Sequence, residues 1–218
     1  MDESRVLPNG DILRYNFTER MVHWVAGASY VYLLLTGLAL WTPWLFWMAV
    51  MLGGGGVSRS LHPWVGLLFM ASTLRMYQLW GNEMRVTNAD REWWKALRHY
   101  TRNEDENLPP VDRFNAGQKY LFWLMYWGGI ALTITGVILW LPEYIPSNLL
   151  FLLRLSALLH PIAALLTIGG FIIHVYMGTA VVRGGFRSVI RGEVSQGWAR
   201  THHRLWLARI TGNAPTKR

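Results

Sequence analysis

Four long apolar runs separated by polar connections set the pattern of this chain. Residues 21–41 form a 21-residue run whose only ionisable group is His23. A helix needs roughly 20 apolar residues to cross a bilayer, so a spanning helix is expected there. Residues 61–80 predict a second span, interrupted by Arg75. Residues 120–141 predict a third, which carries no charge, and residues 149–182 a fourth. The fourth run, at 34 residues, is too long for one perpendicular crossing. It is expected to tilt or to begin at the interface around Arg154. The reading is an all-α protein, a bundle of four transmembrane helices forming one domain over residues 1–218.

The connections differ. Residues 42–60 contain Pro43 and the glycines 53–56. No strand precedes those glycines and no Lys-Ser/Thr pair follows, so they predict a flexible external turn and not a phosphate loop. Residues 81–119 are long and polar. Within them, 90–100 predicts an amphipathic helix with Trp93, Trp94 and Leu97 on one side. Leu61-His62-Pro63 recurs as Leu159-His160-Pro161, which is too short to establish an internal repeat.

Charge orients the spans. Of 21 Lys and Arg, 18 fall in the N-terminal segment, the 81–119 connection or the tail 183–218. In a four-span arrangement these all lie on one face, and such a bias marks the cytoplasmic side. Both termini are therefore expected in the cytoplasm. The net charge of +8 then reflects attraction to anionic lipid, and no nucleic acid is expected. The first 20 residues lack the short apolar region of a cleaved signal peptide.

Composition agrees. Charged residues make up 16% against the usual quarter of a soluble protein. Thirteen Trp and nine Tyr suit the aromatic belts of a membrane interface. The absence of Cys excludes disulfides, cysteine-ligated iron–sulfur clusters, thioether-attached haem and a Cys nucleophile. A redox cofactor would need His, Met or carboxylate ligands.

Four of the seven histidines lie in the spans. His160 and His174 are 14 residues apart on span four, which puts them within about 40° of one face and about 21 Å apart along the axis. His62 starts span two at the external depth of His160, and His23 starts span one at the cytoplasmic depth of His174. Two His pairs at two depths suit two stacked b-type haems with axial imidazoles, and small residues in the spans would let the rings approach. With both axial positions filled, electron transfer is the expected task. The competing reading is a haem-free membrane anchor or transporter whose histidines bridge helices. His99, His202 and His203 are expected to be interfacial or solvated. Arg75 should face the interior, a cavity or an anion such as a haem propionate, or snorkel to the cytoplasmic side.

At this point the residues resemble a known family, the gamma subunit (cytochrome b) of respiratory formate dehydrogenase. The resemblance rests on "TERMVHW" at 18–24, "SRSLHPWVG" at 58–66, "RFNAGQKYLFW" at 113–123 and "TGVILWLP" at 135–142. It continues in "LRLSALLH" at 153–160, "IIHVYMG" at 172–178 and "RGEVSQGWARTHHRLW" at 191–206. The His pattern is shared with a wider group of dihaem b-type subunits of hydrogenases and thiosulfate reductases, and the cytochrome b subunit of a hydrogenase, or of a molybdopterin oxidoreductase other than formate dehydrogenase, is the alternative assignment.

The resemblance implies that His62 and His160 bind the iron of the external haem b and His23 and His174 that of the cytoplasmic one. It implies a site for menaquinone or ubiquinone lined by Asn115, Ala116, Gly117 and Gln118. Amide and backbone N–H groups there could stabilise charge developing on a quinone carbonyl. Asn115 would equally serve as the N-cap of span three. The implied partners are an iron–sulfur beta subunit with a membrane anchor helix and a molybdenum or tungsten alpha subunit that oxidises formate. The complex, itself open to higher oligomerisation, would sit in the bacterial inner membrane. The chain departs from the family at Pro161, which should kink span four, in "RMYQLWGNEM" at 75–84 and in the external glycine run.

Overall fold

The computed structural model describes residues 5–102, 104 and 107–212, the side chain of Tyr100 excepted. The first four residues and the basic Lys217 and Arg218 lie outside the described residues. In chain order the elements are β1 (Ile12–Leu13), α1 (Phe17–Trp41), α2 (Trp47–Met51), α3 (Gly55–Trp80), α4 (Asn88–Lys95) and α5 (Leu97–Thr101). They continue with α6 (Ala116–Trp140), α7 (Phe151–Tyr176), α8 (Gly185–Arg191), β2 (Glu193–Val194), α9 (Gln196–His202) and α10 (Arg204–Thr211). A π-helical stretch, Met177–Val181, extends α7.

Helices of 25 or 26 residues stand on all four predicted spans. Among the described residues, three segments are long and apolar enough to cross a membrane: Phe17–Trp41, Ala116–Trp140 and Ser147–Val181. α3 has the length but not the hydropathy, because Ser58, Arg59, Ser60, Ser72, Arg75 and Gln78 dilute it.

The helix starts have local causes. α1 opens with a reciprocal cap: Glu19 N–H donates to Asn16 Oδ1 at 2.9 Å and Asn16 N–H to Glu19 Oε2 at 2.8 Å. α6 opens the same way, with both Gln118 N–H to Asn115 Oδ1 and Asn115 N–H to Gln118 Oε1 at 3.0 Å. Each box satisfies N–H groups that the first turn leaves without helical partners. α3 begins six residues before the expected 61. Gly53 and Gly54 take positive φ (95° and 96°), a turn conformation that glycine adopts without a Cβ clash, whereas Gly55 and Gly56 are already helical. The glycine run is thus half turn and half helix. Pro161 lies inside α7; it removes one helical N–H without ending the helix.

The chain divides into two compact units. The first is drawn from the described residues up to Met21, from Leu79–Phe122 and from Ile172 onward. It therefore joins the three basic segments. β1 and β2 pair antiparallel, Ile12 opposite Val194, and Ile12, Val194, Ala199, Trp206, Leu207 and Ile210 form its core. Gly192 makes the turn possible: its φ is +88°, and a Cβ there would run into the Tyr15 carbonyl. The Arg14 guanidinium lies among the rings of Tyr15, Phe114, Trp198 and Trp206, 4.9–6.0 Å from their centroids. This gives part of the "GWARTHHRLW" motif a cation–π role. Trp93 packs inward at 2% exposure, but Trp94 stands out at 50%. The two do not share a side, because adjacent helical positions point about 100° apart.

The second unit comprises residues Val22–Gln78 and Trp123–Phe171. Its packing inverts that of a soluble protein. The buried polar groups are hydroxyls, namely Ser29, Thr36, Ser58, Ser72, Thr73, Thr135, Ser156 and Thr167. Meanwhile Leu68, Leu158, Leu166 and many other large apolar chains are exposed. Hydroxyls inside and leucines outside suit lipid as the solvent. At the centre, Tyr30 on α1 donates to Thr167 Oγ1 on α7 at 2.9 Å and meets Phe69 of α3 ring to ring at 5.4 Å. Gly129 of α6 lies against Phe69, and Gly128 against Thr167. Arg75 is exposed and donates to Gln78 Oε1 at 2.8 Å.

Candidate functional site

His62 of α3 and His160 of α7 are brought together in the second unit, with ring centroids 6.4 Å apart. Each ring is fixed by a threonine from a neighbouring helix. His62 Nδ1 is 2.7 Å from Thr36 Oγ1 on α1, and His160 Nδ1 is 2.8 Å from Thr135 Oγ1 on α6. Each hydroxyl has one proton. Thr36 directs it to the Tyr32 carbonyl at 2.8 Å, and Thr135 directs it to the Ala131 carbonyl at 2.7 Å. The hydroxyl therefore accepts from Nδ1–H, which fixes the tautomer and leaves the Nε2 lone pair for a ligand.

The rings also lie against glycine. A Cβ on Gly37 would come 3.4 Å from His62 Cε1, and one on Gly136 would come 3.2 Å from His160 Cε1. One turn before His62, the buried Ser58 hydroxyl has no hydrogen-bond partner among the described residues, and neither does that of Tyr32.

These residues fit a haem. Imidazole–metal bonds of about 2 Å on both sides of one iron put the ring centroids about 6 Å apart. The tautomer is correct, the glycines leave room, and the orphaned hydroxyls are donors of the kind a propionate accepts from.

The other expected site residues are placed differently. His23 is in the second unit, 5.6 Å edge-on from Trp24, and His174 is exposed on α7 in the first unit. Asn115, Ala116, Gly117 and Gln118 form the first turn of α6 and its cap, so capping takes the amide oxygens of both Asn115 and Gln118. Ala116 is fully buried, and a Cβ on Gly117 would touch Asn115 Oδ1 and Trp93. A cleft beside Asn115, lined in part by Trp93, Pro110, His202 and Arg204, has room for only a water, about 10 Å3.

His203 departs from the expectation of a solvated side chain. It is 2% exposed, donates Nδ1–H to the Asp112 carbonyl at 2.7 Å and packs beside Trp198 at 5.1 Å. His99 is half-buried against Glu104, 2.6 Å from its carboxylate.

Thr36 and Thr135 were missed from sequence, yet a signal exists. Arg14, Asn16, Thr36, Gly37 and Trp41 recur 99 residues on as Arg113, Asn115, Thr135, Gly136 and Trp140. Ser58, His62 and Pro63 recur 98 residues on as Ser156, His160 and Pro161. The short Leu-His-Pro recurrence is one part of a two-helix repeat, α1 with α3 and α6 with α7. By the same offsets His23 corresponds to Phe122 and His174 to Met76, so only the His62/His160 pair is repeat-related.

Comparison with known proteins identifies the family of the chain. The chain is 29% identical over 199 residues to the formate dehydrogenase cytochrome b556(fdo) subunit of Escherichia coli K12, covering 91% of this chain and 93% of the relative. It is equally similar to the nitrate-inducible formate dehydrogenase cytochrome b556(Fdn) subunit of that strain, with 91% of each covered. The formate dehydrogenase cytochrome b556 subunit of Haemophilus influenzae is 27% identical over 195 residues, 89% of this chain and 82% of its own length. Residues 14–192 match the family described as prokaryotic cytochrome b561. The chain therefore belongs to the prokaryotic cytochrome b561 family, whose members imply haem b.

Proposed function

We propose that this chain is the membrane cytochrome b subunit of a formate dehydrogenase. In this reading it carries electrons from an external iron–sulfur partner, through two bis-His haems, to quinone. It spans the bacterial inner membrane four times, with both termini cytoplasmic. The observation that carries the reading is the His62–His160 pair, 6.4 Å apart with both Nδ1 atoms held by threonines. The names of the relatives point to formate dehydrogenase as the complex, and formate oxidation falls to a partner.

Haem, when bound, would supply a one-electron carrier. This chain's residues do the rest. His62 and His160 would ligate one iron and His23 and His174 the other. The threonines hold the first pair of rings in the ligating tautomer, and the apolar helix faces keep water away. The first turn of α6 would bind a quinone carbonyl through Gln118 and through N–H groups. The buried pairs Arg113–Glu19 and Lys119–Asp90, at 2.7 and 2.8 Å, hold that turn in place. Joining of the three basic segments in one unit supports their placement on one membrane side.

The test is a reduced-minus-oxidised visible spectrum of native membranes, with formate and then hydrogen as reductant. Formate should reduce b-type haem. Reduction by hydrogen alone would move the chain to a hydrogenase complex. A colourless protein even after dithionite would overturn the cytochrome reading.

A further inference from the structure

We propose that Thr36 and Thr135 are paired positioning residues that set the redox potential of the haem held by His62 and His160. The inference rests on the ligand assignment above and adds to it what the neighbouring helices do. Three observations carry it. First, both Nδ1 atoms lie within 2.8 Å of a threonine hydroxyl that spends its proton on its own helix, Thr36 on the Tyr32 carbonyl and Thr135 on the Ala131 carbonyl. Each hydroxyl is thereby an acceptor for Nδ1–H. Second, both threonines are buried, at 0 and 8% exposure, so water does not take over that role. Third, the following residue is glycine in both cases, and the ring rests on it, 3.4 and 3.2 Å from where a Cβ would be. Thr-Gly is thus a two-residue seat for an imidazole, one residue accepting the proton and the next leaving room for the ring.

The seat is built twice, by positions 99 residues apart, for ligands 98 residues apart. The two seats are therefore expected to act alike. An imidazole whose Nδ1–H donates a hydrogen bond is a stronger base at Nε2 and favours the more positive iron. Removing the acceptor weakens that preference and raises the potential. His23 and His174 lie outside the repeated positions, so the second haem should not respond.

The experiment is a potentiometric titration of the whole complex in native membranes, followed in the visible spectrum, for Thr36→Val, Thr135→Val, the double variant and Thr36→Ser. Valine keeps the shape and removes the hydroxyl acceptor, although the Leu132 backbone remains as a second hydrogen-bond partner of His160. Thr36→Val should shift the ferrous–ferric balance of one haem by about tenfold toward the ferrous form, about 59 mV for one electron, and Thr135→Val should shift the same haem in the same direction by less. The double variant should shift it further, and serine should restore the parent value. A full haem content with unchanged potentials in both valine variants would overturn the proposal. So would equal shifts in both haems. Should a variant lose its haem, the ferric low-spin resonance spectrum of Thr36→Ser decides: signals unlike the parent's overturn the proposal. His62→Ala is the separate control, since retention of both haems there would sink the ligand assignment itself.

Discussion

Arg14 and Arg113 each donate a hydrogen bond to the other's backbone carbonyl, at 2.9 and 2.6 Å. The two residues open equivalent Arg-aromatic-Asn segments 99 residues apart, and their side-by-side aromatics, Tyr15 and Phe114, lie 6.3 Å apart. The reciprocity is what two copies of one element produce when they meet face to face. The same doubling reappears at the Thr36–His62 and Thr135–His160 contacts.

Arg113 also holds two carboxylates, Glu19 at 2.7 Å and Glu83 at 2.9 Å, and its side chain is only 4% exposed. Arg113→Leu leaves Glu19 buried without its charge partner, although Trp80 Nε1 still donates to it at 2.7 Å. Breaking a buried pair from one side costs about 3–5 kcal/mol, so the unfolding midpoint of the purified complex should fall by many degrees. Lysine should rescue little, because it lacks the fork that reaches two carboxylates and a carbonyl at once.

The glycine seats predict a graded series. Gly136→Val brings a branched side chain onto His160 Cε1, where a Cβ alone would already stand at 3.2 Å. The ring must shift, and about one haem per chain should be lost. Gly37→Ala meets His62 Cε1 at an ordinary 3.4 Å and should keep both haems. The haem-to-protein ratio of detergent-purified variants measures both.

Gln118→Glu separates capping from quinone binding. The carboxylate still accepts the Asn115 N–H that Gln118 Oε1 accepts at 3.0 Å, so α6 starts as before. The amide donor is gone. Formate should still reduce the haems, while quinone reduction slows about tenfold or more. Stopped-flow reduction of haem alongside steady-state quinol formation checks the split.

His203 predicts a pH dependence. Burial first, and the nearby Arg14 charge second, hold its pKa well below the usual histidine range, against the opposing hydrogen bond to Asp112. The unfolded chain takes up a proton near pH 6.5 and the folded chain does not. Stability is therefore full above about pH 6.5 and falls as the pH drops below it, by about 1.4 kcal/mol per unit until the folded pKa is reached. His203→Asn keeps a donor for the Asp112 carbonyl and does not titrate. Between pH 7.5 and 5 its unfolding midpoint should drop less than the parent's.

Much of this was legible in the sequence, because the length of apolar runs is a strong signal. All four expected spans carry helices of 25 or 26 residues, and the rings of His62 and His160 lie 6.4 Å apart. What escaped was carried by single residues inside uniform apolar text. Thr36 and Thr135 resemble packing residues until their contacts are seen, and the repeat survives in isolated positions diluted by interchangeable aliphatics. His203 reads as solvated because it sits in a polar tail, and only the fold shows Trp198 and Trp206 packing against it. Helix starts moved where side-chain caps decided them, as at Asn16 and Asn115.

The measurement that bears most directly on the central claim is the haem b content per chain of the purified complex, parent against His62→Ala and His160→Ala. The account predicts two haems in the parent and one in each variant, the same one lost from both. An unchanged count in either variant, or loss of different haems from the two, would contradict it.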